Sequence, residues 1–89
     1  NLDSQEVLLR GNPISLTDIE YRLLILMLQH RHKVFSAENL YESIWEEPYF
    51  YSANNTIMVH IRNLRKKLEQ DPKNPQYIKT IWGKGYCID

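Results

Sequence analysis

The chain has 89 residues and carries eleven acidic and eleven basic side chains, so its formal net charge at pH 7 is zero. Its length suits one domain, and its hydrophobic fraction of 43% is typical of a globular protein rather than a disordered one. The sequence contains no apolar run of the roughly 18–20 residues that span a bilayer, which argues against a membrane partner.

Residues 1–89 are expected to form a single domain excised from a longer protein, because the chain begins at Asn1 without an initiator methionine. Cys87 is the only cysteine, so an internal disulfide is excluded, and its spacing to the three histidines does not fit a metal site. We therefore expect a cytoplasmic protein that uses neither a metal nor another cofactor.

The chain is expected to open with two short antiparallel strands. The segment Glu6-Val7-Leu8-Leu9-Arg10 predicts the first strand, and the alternation at 14–16 predicts the second. Gly11-Asn12-Pro13 between them is typical of a turn.

Two helices are predicted next. Thr17 followed three residues later by Glu20 is the signature of a capping box, and the helix should continue to about His30. After a short extended link at 34–35, Ser36 is a good N-cap for the second helix. The residues expected on the buried sides are Ile19, Leu23, Leu24, Met27 and Leu28 in the first helix and Leu40, Tyr41, Ile44 and Trp45 in the second.

A loop at 46–53 interrupts this helical periodicity. It contains three consecutive aromatic residues, Tyr49, Phe50 and Tyr51. They could pack onto the core, or they could form a surface for a partner.

The third helix, expected at 54–69, is the most informative segment. Its buried stripe is predicted to consist of Ile57, Ile61, Leu64 and Leu68. At about 100° per residue, the opposite face carries Asn55, Val59, Arg62 and Lys66, with Asn63 beside them. Because this face has amides, a methyl-bearing residue and cations but no carboxylate before Glu69, it suits the groove of a DNA duplex.

The distribution of charge supports this interpretation. Residues 1–53 contain four Lys/Arg and eight Asp/Glu, a balance of −4, whereas residues 54–89 contain seven and three, a balance of +4. Phosphate affinity depends on the local field rather than on net charge. Alternatively, the cations at 62 and 65–67 only form a solvated helix end that complements the helix dipole.

A closing hairpin is predicted at 77–88. Strands at 76–82 and 85–88 flank Gly83-Lys84, which matches the Gly-X signature of a two-residue turn. The residues placed near DNA phosphates or sugars are Lys79, Thr80, Trp82 and Lys84. Thr80 could instead be only a strand former, and Trp82 could equally pack in the core.

These elements predict an α+β fold of the winged helix-turn-helix type. In such a fold the later helix enters the major groove, and the hairpin, or wing, reaches the adjacent backbone or minor groove. The expected activity is therefore binding of double-stranded DNA.

Four sequence motifs also resemble those of a known family, in the same order and with the same spacing. They are Leu16-Thr17 with Glu20-Tyr21-x-Leu23-Leu24, Ser36-x-Glu38-x-Leu40 with Ile44-Trp45, the run from Asn55 to Glu69, and Ile81-x-Gly83-x-Gly85-Tyr86. Over essentially its full length, the chain resembles the effector domain of OmpR/PhoB-family response regulators. The Asn-Asn-Thr-Ile lead-in and the Trp-Gly-x-Gly-Tyr wing are most similar to the vancomycin-resistance regulators.

The resemblance implies a transcription regulator of a two-component phosphorelay. Its receiver domain, which a sensor kinase phosphorylates, is absent from this sequence. The implied partners are that receiver, a second protomer on direct-repeat DNA half-sites, and RNA polymerase. The polymerase-contacting loop corresponds to Glu47, Tyr49, Phe50 and Tyr51.

The resemblance also suggests individual DNA contacts. The DNA contacts that the family implies on the third helix are Asn55, Thr56, Val59, His60, Arg62 and Arg65. The chemistry and spacing of the residues add Asn63 and Lys66 on this helix, and Thr80, Trp82 and Lys84 in the wing. Asn55, Val59, Arg62 and Asn63 are the expected base contacts, whereas His60 and Arg65 suit phosphate contacts better. This chain departs from the family at two positions, Asn63 and Trp82, where the family often has Arg. Asn63 could pair with adenine instead of guanine.

Other functions have less support. No nucleophile lies in a recognisable motif, and Gly83-x-Gly85 is not followed by a helix that could form a phosphate-binding loop, so an enzyme is not expected. The main alternative is a winged-helix module that chiefly binds protein, such as RNA polymerase, through the aromatic loop at 48–51.

Overall fold

The computed structural model describes residues 4–89. Along the chain the elements are β1 (Ser4–Leu9), β2 (Asn12–Thr17), α1 (Asp18–Gln29), α2 (Ala37–Trp45), α3 (Ala53–Leu68), β3 (Ile78–Ile81) and β4 (Gly85–Ile88). β1 pairs with β2, and β3 pairs with β4, both antiparallel. The predicted α+β winged-helix architecture is confirmed, with each predicted element present and its ends shifted by a few residues.

Reciprocal side-chain caps start the first two helices. At α1 the Thr17 hydroxyl accepts from the Glu20 N–H at 3.2 Å, and the Glu20 carboxylate accepts from the Thr17 N–H at 3.0 Å, as predicted. At α2, Ser36 and Asn39 exchange the equivalent bonds. Sequence reasoning identified Ser36 but missed Asn39, because Glu or Gln is the usual partner in this motif.

The core lies where the three helices meet. The whole predicted stripe of α3 is buried: Ile57, Ile61, Leu64 and Leu68. It packs with Leu23 and Met27 of α1, Leu40 of α2 and Ile78 of the wing. Leu28 was expected on the buried side of α1 but is 42% exposed. Within the described residues, no helix is both long and apolar enough to cross a membrane.

The wing is attached to the α1–α2 link by its backbone. Phe35 and Tyr86 exchange two N–H···O bonds of 2.8 Å, so Phe35 adds a single bridge to the edge of β4. Gly85 lies beside this bridge with φ of +144°. A Cβ atom at that position would stand 2.0 Å from the Phe35 carbonyl oxygen. Only glycine lets the two backbones approach this closely.

The wing turn differs from the prediction. Ile81 pairs with Gly85, so the connection has three residues, 82–84, and not the predicted two. The Lys84 N–H donates to the Ile81 carbonyl at 2.9 Å, and Gly83 has φ of +75°. Both glycines thus have positive φ, and the sequence alone did not show which of them ends the turn.

Replacing Gly85 with Ala should destabilise the domain by about 3 kcal/mol or more, because the new methyl group meets backbone and the residue must keep a strained φ. Gly83→Ala is the matched control, since open space surrounds that position. It should cost only about 1–2 kcal/mol through its positive φ. Urea unfolding of both variants measures this difference, and equal losses would show that the contact with Phe35 is unimportant.

Candidate nucleic-acid interface

One face of α3 is open to solvent along most of the helix. Asn55, Val59, Arg62 and Lys66 are all exposed, as the helical spacing predicted. Thr56 and Asn63 are half-buried on one flank of this face. We call the four exposed residues with Met58 the outer face of α3. It presents two cations and no carboxylate.

Met58 was not among the predicted site residues. Half of its surface is exposed, and the Asn54 side-chain amide donates to its sulfur at 3.4 Å. With Arg62 and Tyr86 it lines a groove of about 860 Å³ between α3 and residues 71–73. The i, i+4 spacing from Met58 to Arg62 could have placed it on this face.

Arg65 points toward the wing rather than outward. Its guanidinium donates to the Ile78 carbonyl from Nε (3.1 Å) and Nη2 (2.8 Å), and from Nη2 to the Thr80 hydroxyl at 2.8 Å. It also lies 5.7 Å from the centre of the Tyr86 ring. Burial lowers the pKa of this guanidinium, which Tyr86 and Glu69 partly offset, yet arginine stays charged. Arg65 and Thr80 therefore join α3 to β3.

The Glu69 carboxylate fixes the chain just before the wing. It is buried and accepts N–H bonds from Gln76 (2.7 Å), Tyr77 (3.1 Å) and Ile78 (2.9 Å). The one acidic residue at the end of the predicted DNA-facing helix is thus turned inward. Its charge is used to order a loop and does not oppose phosphate on the outer face.

Lys67 is exposed but also forms an ion pair within the domain. Its ammonium group forms an ion pair with Glu20, whose side chain is only 3% exposed. The same Glu20 oxygen caps α1, so this pair links the start of α1 to the end of α3. Lys67 and Arg65 therefore contradict the alternative that the basic end of α3 is simply solvated.

His60 lies on the side of α3 that faces α2. Its ring centre is 5.8 Å from that of Trp45, and the residue is half-buried. Burial lowers the pKa of the imidazole below its ordinary value, and the Glu20 carboxylate only partly opposes this shift. A neutral imidazole beside Trp45 is poorly suited to the phosphate contact that was predicted for it.

The tip of the wing is strongly exposed. Trp82 has 90% of its surface open to solvent, so the expectation that it could pack in the core is wrong. Lys84, at the end of the same turn, is exposed as well. Lys79 instead pairs with Asp89 at 3.2 Å, which leaves Lys84 as the freer cation of the wing.

The three aromatic residues of the loop differ in their surroundings, and both predicted roles, packing on the core and exposure to a partner, are represented. Tyr49 packs on the core, and its N–H donates to the Glu42 carboxylate at 3.0 Å. Phe50 meets the Tyr41 ring edge-on yet is 53% exposed, and Tyr51 is 95% exposed. Glu47 is exposed beside them. The loop is thus fixed at one end and open at the other.

Comparison of the chain with known proteins identifies its family. The family described as "Transcriptional regulatory protein, C terminal" matches residues 11–88. The chain belongs to this family. Its members include OmpR/PhoB response regulators, and the matched part is a DNA-binding domain, not an enzyme.

Two curated relatives illustrate the match. The uncharacterized transcriptional regulatory protein YrkP of Bacillus subtilis is 58% identical over 81 residues, which is 91% of this chain and 35% of YrkP. The regulatory protein VanR of Enterococcus faecium is 43% identical over 89 residues, 100% of this chain and 38% of VanR. The chain thus spans little more than a third of these relatives. The match to VanR agrees with the expected resemblance to vancomycin-resistance regulators, although YrkP shares more identity.

Solved structures share the same fold. The response regulator DrrB of Thermotoga maritima, an OmpR/PhoB homologue, has a TM-score of 0.79 and 37% identity over 89% of this chain and 35% of DrrB. The DNA-binding domain of Klebsiella pneumoniae RstA, in complex with the RstA box, has a TM-score of 0.82 and 26% identity over 93% of this chain and 81% of that domain. This OmpR/PhoB-type domain therefore matches both a response regulator and a domain bound to DNA.

Arg65→Ala should destabilise this OmpR/PhoB-type domain by about 1–3 kcal/mol, because the buried Ile78 carbonyl loses its charged donor. Lys66→Ala, one residue further on and exposed, should change stability by no more than about 0.5 kcal/mol. The free energy of unfolding in urea is the measurement. Equal stabilities of the two variants would contradict the role assigned to Arg65.

Proposed function

We propose that this domain binds double-stranded DNA in a sequence-specific manner and thereby controls transcription. In this proposal α3 enters the major groove, and the wing at 77–88 meets the adjacent backbone or minor groove. The observation that supports it most directly is the outer face of α3, where Arg62 and Lys66 are exposed and none of the helix residues is a carboxylate; Asp71 and Lys73 line the far side of the adjacent groove. A duplex requires a surface of this kind.

The proposed contacts fall into two groups. Asn55, Val59, Arg62 and Asn63 would face base edges, and Thr56 would lie at their flank. Lys66 and Lys84 would neutralise phosphates, and Trp82 would touch the backbone or minor groove without adding a charge. Arg65 and Thr80 are already bonded to each other, and His60 lies against α2, so we propose that these three position the interface.

The whole protein is proposed to be a cytoplasmic response regulator in which this domain is the effector. A receiver domain, outside the sequence described, would be phosphorylated by a sensor kinase. Two protomers would then occupy direct-repeat half-sites. The support is that the curated relatives are nearly three times as long as the part that matches.

Arg62→Ala should weaken binding to a duplex selected from a random pool by about 1–3 kcal/mol, because an exposed cation is lost from the outer face. Lys66→Ala, which removes a proposed phosphate contact, should instead make the plot of log K against log salt shallower by about one unit. Arg22→Ala is the control, since Arg22 is an exposed arginine paired with Asp18 on α1. Gel-shift titration at several salt concentrations measures both effects.

Two results would contradict this proposal. If Arg62→Ala binds as tightly as Arg22→Ala, the outer face of α3 does not meet DNA. If the domain shows no salt-sensitive binding to any duplex in the pool, the alternative of a mainly protein-binding module is favoured.

A second contact is proposed for the aromatic loop. Phe50 and Tyr51 are exposed, as is Glu47 in the same loop. Exposed aromatic rings on a loop that is fixed at one end suit a protein partner. We propose that this partner is RNA polymerase, which would bind the loop while α3 occupies DNA.

Tyr51→Ala should leave DNA affinity unchanged, because this exposed side chain contributes little to the fold. It should lower transcription in a reconstituted assay with RNA polymerase, because the proposed contact with the polymerase is lost. Leu28→Ala serves as a control at an exposed apolar side chain on α1, outside the loop and the proposed DNA contacts. Full transcription with the Tyr51 variant would exclude it from the polymerase contact, and a loss of DNA binding would place the loop on the DNA side instead.

A further inference from the structure

Two adjacent apolar side chains interrupt the polar outer face of α3. Met58 is 50% exposed and Val59 is 51% exposed, whereas their neighbours Ile57 and Ile61 are buried. Among the described residues, the core cluster includes neither Met58 nor Val59. The fold therefore does not account for an apolar pair at this point of the helix.

The surroundings of Met58 suit a nucleic-acid contact. Arg62 and Lys66 follow it on the outer face and can attract phosphates, so bases of the same duplex come within its reach. The bond from the Asn54 amide holds the sulfur near the start of the helix. In the major groove the characteristic apolar group is the C5-methyl of thymine. A thioether is flexible and polarisable, and it adapts well to such a methyl group.

We infer that Met58 is a further specificity-determining residue, whose side chain contacts the methyl group of a thymine. This inference rests on the proposed DNA-binding function. At about 1.5 Å of rise per residue, Met58 and Arg62 are about 6 Å apart along α3, which corresponds to roughly two base-pair steps of about 3.4 Å. The thymine should lie within that distance of the base or phosphate that Arg62 contacts.

The experiment removes the methyl group without changing base pairing. Each thymine of a duplex selected by the unaltered domain is replaced in turn by deoxyuridine, and affinity is measured by gel shift. One replacement should weaken binding about fourfold, the effect of exposing one buried methyl group. Met58→Ala should lose a similar factor on the thymine duplex and should no longer respond to that replacement.

Leu28→Ala is the control, because Leu28 is an exposed apolar residue on α1 away from the outer face. It should keep both the affinity and the deoxyuridine response. The inference is wrong if Met58→Ala keeps every deoxyuridine penalty, or if no thymine is methyl-sensitive while Arg62→Ala still weakens binding. If a thymine keeps its deoxyuridine penalty in Met58→Ala, its methyl group does not contact Met58, and Val59 would be the remaining apolar contact on the outer face. Failure of the unaltered domain to bind any duplex would instead reject the proposed function itself.

Discussion

The buried backbone of Ile78 is the point on which the geometry of the interface depends. Glu69 accepts its N–H at 2.9 Å, and Arg65 donates to its carbonyl at 2.8 Å, so two side chains from the end of α3 hold one residue of β3. The Ile78 side chain is itself fully buried. The first wing strand must therefore start where α3 places it. Helix and hairpin keep a fixed spacing, which lowers the ordering cost of binding one duplex at two places.

This arrangement also explains how a chain of zero net charge can present a basic surface. Of the four cations in the second half of α3, Arg65 bonds to the wing and Lys67 to the buried Glu20. Arg62 and Lys66 remain exposed on the outer face. Since Glu69 is turned inward too, the charges that hold the fold together are largely separate from those available to phosphate. Counting cations in the sequence overestimates the number that DNA can meet.

The sequence predicted best what depends on local chemistry and helical period. The capping box at Thr17, the buried stripe of α3 and its exposed face all follow from residue spacing. It predicted less well what depends on contacts between distant segments. The direction of Arg65 is set by β3, thirteen residues away, and the packing of His60 is set by Trp45 on another helix. The wing turn was misjudged because two glycines in the wing both fit a positive φ. Met58 was overlooked because its one signal in the sequence is the i, i+4 spacing to Arg62.

Segregation of charge favours the orientation that we propose for the domain on DNA. Residues 34–61 contain no Lys or Arg but four glutamates, Glu38, Glu42, Glu46 and Glu47, all exposed. The contact between Trp45 and His60 places α2 on a side of α3 away from Arg62. In the proposed complex, phosphates would be repelled by the α2 side and attracted by the outer face of α3. Because few cations remain free, sequence-independent attraction to phosphate should be modest. In the proposed complex, discrimination between sites would then come mainly from the amide and apolar contacts of α3, so the apolar pair on its outer face would bear on specificity more than on overall affinity.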